Sequence, residues 1–207
     1  MTLNYKIIIL PLFVMFSNFI HPQNVSNYNF THSSQGSLTN MSTGSVDILV
    51  PVDRLSDVVS NIVNIGFDFI FMGKIYNTFS VNSNGLLRLG DERVENTYYN
   101  WLQSIYGHPF IAPFWENLNQ VTNQNTTQSS KVRIKLEGSS PNRVLTIEWK
   151  DFVIAYNANT DTAKSTFQVR LYESTNDIEF VYGKMQIAHN SNIVTASIGF
   201  SDAPQQG

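Results

Sequence analysis

Cysteine is absent from the 207 residues, so neither a disulfide framework nor a thiolate metal site can be assembled. Charge is scarce as well. Charged residues make up 14% of the chain and the formal net charge is −3, which leaves no electrostatic footprint for nucleic acid or an anionic membrane. The basic stripe Lys131, Arg133 and Lys135 is too short for phosphate-backbone binding and reads as a solvated strand face that discourages edge pairing. Residues 7–16 (IIILPLFVMF) form an apolar run too short and too Pro-interrupted for a stable membrane span. No G-x-S-x-G elbow, H-E-x-x-H helix or Walker loop occurs. Residues 66–74 end in Gly-Lys, but the spacing is wrong and Ile75 stands where Ser or Thr would hold magnesium. A calcium loop of the Asp-x-Asp-x-Asp-Gly kind is missing too. These absences argue against a legible catalytic centre, metal site or cofactor site.

What remains is polar and aromatic: Asn, Ser and Thr are abundant, and Phe, Tyr and Trp reach 13%. Lys6 followed by the apolar run reads as a secretory signal, with cleavage near Gln23 and residues 1–23 removed. Export without a single cysteine fits a bacterium more easily than an animal, so the Asn-x-Ser/Thr triplets carry no weight as glycosylation sites. Residues 24–45 read as an extended lead-in pinned by Tyr28 and Phe30, residues 46–200 as one β module, and residues 201–207 as the start of a linker within a longer chain.

Strand signals run through the module. Phe67, Phe69 and Phe71 alternate with Asp68, Ile70 and Met72, and Leu145, Ile147 and Trp149 alternate with Thr146, Glu148 and Lys150. Phe167, Val169 and Leu171, then Ile178, Phe180 and Tyr182, repeat that period. Asn84-Gly85 predicts a tight hairpin between two apolar strands, and residues 138–143 (GSSPNR) predict another turn. Residues 117–130 (NLNQVTNQNTTQSS) read as a loop, and residues 96–106 offer a single helical turn. Short strands with frequent turns indicate an all-β fold, an antiparallel β-sandwich of jelly-roll-like form.

Among the acids, Glu116, Glu148, Asp151, Glu173 and Glu179 are the available carboxylates for a glycosidase-type pair. Glu148 sits opposite the apolar set of its strand, so a cross-strand ion pair on a solvated face is the ordinary reading. His32, His108 and His189 stand far apart and beside no cysteine, as solvent or turn histidines do. The best binding candidates are Tyr98, Tyr99 and Trp101 with Tyr106, since flat aromatic faces stack on sugar rings. The competing and more ordinary expectation is that this segment folds over an open end of the sandwich and buries its rings. Trp115 and Trp149 lie in apolar strand patterns and belong to the core.

Residues 66–73 (GFDFIFMG), 76–90 (YNTFSVNSNGLLRLG) and 111–115 (IAPFW) together resemble the hallmark phrases of nidogen-like (NIDO-type) extracellular β modules. Residues 166–172 (TFQVRLY), 177–183 (DIEFVYG) and 196–200 (ASIGF) resemble the later strands of that family. The likeness is greatest to the version at the N-terminus of secreted bacterial surface proteins with type IX sorting domains. It implies adhesion or recognition of a glycan or protein partner at the cell surface, without catalysis. Acids commonly follow the Trp in that family; Glu116 keeps one, while Asn117 and Asn119 stand where Asp is frequent. The alternatives are an accessory, substrate-binding domain of a secreted hydrolase and a structural spacer.

Overall fold

The computed structural model describes residues 28–51, 57–97, 100–101, 108–121, 130–154, 163–187 and 195–201. In chain order the strands are β1 (Val46–Leu49), β2 (Val63–Phe71), β3 (Lys74–Val81), β4 (Leu87–Leu89), β5 (Phe110–Trp115) and β6 (Leu118–Gln120). They continue as β7 (Lys131–Glu137), β8 (Val144–Ile154), β9 (Lys164–Tyr172), β10 (Ile178–Tyr182) and β11 (Ser197–Phe200). One sheet runs β1-β7-β8-β9-β10, with β6 also on β8, and the other runs β11-β5-β4-β3-β2. Every ladder between named strands is antiparallel. The fold is therefore the all-β antiparallel sandwich that the alternation implied.

β8 is long enough to serve two neighbours in turn. β7 pairs with residues 144–150 and β6 with residues 152–154. Between them the ladder slips at Trp149/Phe152, where Asp151 takes a φ of 59°. A bulge of this kind bends the strand and raises its twist, which aims its far end at β6. The first residues of the polar 117–130 stretch are thus strand rather than loop; residues 122–129 lie outside the described residues.

Period-two burial fixes the inner faces. In β2, Ile65, Phe67, Phe69 and Phe71 are buried while Asn64, Asp68 and Ile70 are exposed. Opposite them lie Leu145, Ile147, Trp149, Phe167, Val169 and Leu171. Trp149 stacks on Phe167 at 5.3 Å and 11°, an offset ring contact worth about 1 kcal/mol beyond its area. The second sheet curls strongly. Its two outer strands bring Phe71 and Phe200 within 5.7 Å of each other, edge to face. Tyr28 fills the remaining gap, 4.9 Å from Phe200 and 5.9 Å from Phe71, and its hydroxyl accepts the Met72 N–H. Phe30, by contrast, is 90% exposed and pins nothing inward.

The outer face of the first sheet is not solvated, and this corrects the reading of Glu148 and of the basic stripe. Glu148 does pair across the strands with Arg133, yet it is 3% exposed, with Thr146 and Gln168 equally hidden. Residues 37–41 cross this face and cover it. The side-chain amide of Gln168 donates to Thr39 O (2.9 Å) and accepts from Thr39 N (2.8 Å). Arg170, Lys135 and Arg133 donate to the carbonyls of Ser37, Asn40 and Met41. Lys131 pairs with Asp47 at 2.7 Å, so all three stripe residues are engaged. The stripe's charges hold backbone carbonyls and carboxylates in place of water.

Part of the second sheet's outer face is covered by apolar packing backed by hydrogen bonds from Val94 N to Ser80 Oγ (2.7 Å) and from Arg93 to the carbonyls of Val59 and Ser60. The loop after β4 brings Val94 onto Leu86, Phe110, Ala112 and Trp115. Trp115 and Trp149 are both core residues, as expected, although they serve different clusters.

Candidate functional site

The turn joining β3 to β4 is five residues long and buried, not the tight Asn-Gly hairpin that the dipeptide suggested. Of its residues only Gly85 has positive φ (81°), so the paired left-handed dihedrals of a two-residue turn are not formed. The asparagine side chains replace them. Asn82 Oδ1 accepts the N–H groups of Asn84 (3.1 Å) and Leu86 (3.0 Å), while its Nδ2 donates to Glu95 O. Its carbonyl accepts Trp149 Nε1 at 2.9 Å, a bond that ties the two sheets together. Asn84 donates to Asp57 Oδ1 (2.9 Å) and accepts from Leu118 N (3.0 Å). A Cβ on Gly85 would stand 2.0 Å from Phe114 O, so no other residue fits there. A buried polar turn of this kind is stable only because its donors and acceptors are met.

This turn fixes the β5–β6 corner, since Glu116 N donates to Asn84 O at 3.1 Å. The Glu116 carboxylate then reaches the other way. Its Oε2 accepts Asn100 Nδ2 (2.8 Å) and Thr195 N (3.1 Å). Burial raises its pKa above the ordinary carboxylate value, against the hydrogen bonds from Asn117, Thr195 and Asn100 that lower it. Asn100 is gripped a second time through Thr195 Oγ1 (3.3 Å) and through its own carbonyl, which accepts Ser197 Oγ. Immediately after this clamp comes Trp101, 74% exposed. The expectation that the segment buries its rings therefore fails for Trp101. The preceding Asn100 is held by Glu116, just after β5, by Thr195, and by Ser197 at the start of β11, while the Trp101 side chain stays largely exposed.

Of the remaining candidates, Tyr98, Tyr99 and Tyr106 lie outside the described residues, as does most of the 96–106 stretch read as a helical turn. Among the described residues, 96, 97, 100 and 101 are irregular chain, and the structure brings Asn100 rather than a helix to the site. The clamp was not legible beforehand, because its partners come from three distant stretches. The single signal was the acid at position 116 directly after the Trp.

The other acids serve structure. Glu173 meets Arg143, which holds its pKa near about 2, well below the ordinary carboxylate value of 4.5. Arg143 also donates to Gly66 O (2.6 Å) and lies over the Phe67 ring at 5.6 Å, joining the two sheets at that end. Glu179 accepts from Arg170 (3.0 Å) and Tyr172 (2.6 Å), and Asp151 lies 3.3 Å from Lys150. His32 is exposed, His108 stands 3.1 Å from Arg88, and His189 lies outside the described residues. Among the described residues no group of three His, Cys, Asp or Glu converges to hold a metal, and no helix is long and apolar enough to cross a membrane.

A family model described as NIDO related matches residues 27–207, most of the chain. No curated protein and no solved structure matches.

Proposed function

Because the chain belongs to the NIDO-related family, we propose that it acts outside the cell as a non-catalytic module for adhesion or recognition. Its ligand-facing end, in this reading, is the segment around Trp101. One observation carries it: a large aromatic side chain is 74% exposed directly beside a residue clamped by Glu116, Thr195 and Ser197. A ring held by an ordered backbone loses little conformational freedom on binding, and an indole face suits the apolar face of a pyranose. The ligand class that this favours is a glycan, with Asn side chains meeting hydroxyl groups and with Tyr98, Tyr99 and Tyr106 retained from the sequence as further candidate contacts. We place the module at a bacterial cell surface, exported by residues 1–23 and continued by further domains.

Replacing Tyr98, Tyr99 and Trp101 together by Ala is expected to abolish retention on a glycan array while the urea midpoint stays at that of the parent. Undiminished retention by the folded triple variant removes the site assignment.

A further inference from the structure

The strap over the first sheet is held in an unusual way for a core contact. Gln168 meets both the N–H and the carbonyl of Thr39; Lys135, Arg133 and Arg170 meet the carbonyls of Asn40, Met41 and Ser37. The polar grip thus falls on main chain. Two side chains add apolar anchorage, Met41 at 2% exposure and Leu38 against Gly183. Such a face is in effect a site for an extended peptide, and the chain's own residues 37–41 occupy it.

The connections on either side are loose. Residues 29–36, between the Tyr28 plug and the strap, are exposed throughout. On the other side Ser42, Thr43 and Gly44 are exposed, with Gly44 at a φ of 71° in a bend before β1. The hydrogen bonds within that bend are local: Ser42 N to Asn40 Oδ1 (2.9 Å) and Ser45 Oγ to Met41 O (2.7 Å).

We propose that residues 28–41 exchange reciprocally between two copies of the chain, each strap lying across the first sheet of the other. A second copy carries the one segment whose fit to this face is already visible. Exchange rebuilds every strap contact, so the closed and exchanged forms differ only in the bend and in concentration. A short tether gives the strap an effective local concentration in the millimolar range, which keeps the parent closed at micromolar protein. Gly44, at a φ of 71°, lies in the bend that returns Ser45 Oγ to Met41 O, so deleting Thr43 and Gly44 removes the turn by which the chain folds back on itself.

The test is deletion of Thr43 and Gly44 in the full chain. Sedimentation is expected to show the mass doubled at micromolar concentration, with the parent remaining a single copy. The natural lack of cysteine allows the path of the strap to be read by a thiol-specific bismaleimide. In the shortened chain, one copy with Asn40→Cys mixed with another carrying Lys135→Cys is expected to link the two chains. The double variant of the parent length is expected to link within one chain. A shortened chain that stays a single copy overturns the exchange, whether or not its strap still links. So does a doubled mass in which positions 40 and 135 never join different chains.

Discussion

On the outer face of the first sheet, Arg133, Lys135, Gln168 and Arg170 hold residues 37–41 through main-chain hydrogen bonds; on that of the second, Val94 closes over Phe110, Ala112 and Trp115. Both covers mix apolar and polar contacts. The first is led by hydrogen bonds to main chain and the second by Val94 packing, with Val94 N on Ser80 Oγ and Arg93 on the Val59 and Ser60 carbonyls. Apolar burial stabilises in proportion to the area removed from water and is insensitive to direction. A polar cover exchanges water hydrogen bonds for protein ones, with a small net gain and a large penalty for any group left unmet. The second sheet's cover therefore leans more on buried apolar area, and the first sheet's clasp more on hydrogen bonds that must be met.

The largest expected effect is on the apolar side. Trp115→Ala empties a fully buried site and is expected to cost about 3–5 kcal/mol, read from urea unfolding. Gln168→Ala should follow at about 1–3 kcal/mol, because it removes the Gln168 hydrogen bonds to the N–H and carbonyl of Thr39 and to Glu148 Oε1, although Glu148 keeps Arg133. The two variants should also differ in kind. Hydrogen exchange at residues 37–41 should accelerate in Gln168→Ala well before the rest of the sheet opens. A cost for Gln168→Ala at or above that of Trp115→Ala breaks the contrast.

The smallest effect belongs to the far end of the sandwich, where the Arg143–Glu173 pair is shared with neither cover. The folded carboxyl titrates near about 2 against an ordinary 4.5, so its contribution is complete above pH 4.5 and fades as the pH falls towards 2. In Glu173→Gln, the slope of the thermal midpoint over that window should flatten relative to the parent. An unchanged slope means that the pair has no share in acid stability.

Much of the sandwich was readable because burial follows a period of two, as in Phe67, Phe69 and Phe71 or in Leu145, Ile147 and Trp149. The same rule misplaced Glu148 and Arg133 in water. Alternation tells which residues leave the inner layer, but not whether a segment some hundred residues earlier returns to cover them. Asn82 and Asn84 were misjudged for a related reason. The dipeptide Asn-Gly speaks for local dihedrals, while the partners of these side chains lie at positions 57, 95 and 118. At the candidate site the exposed indole was foreseeable only as a choice between two outcomes, because the Glu116 clamp draws on Thr195, far along the chain.

The placement of Tyr28 has a mechanical consequence. A pull applied to the polypeptide ahead of it must first extract that ring from between Phe71 and Phe200, and then strip the clasp bond by bond, before tension reaches the β1–β7 ladder. Load arriving from that side is spent on reversible side-chain contacts, and the hydrogen-bonded sheets are shielded until those have yielded.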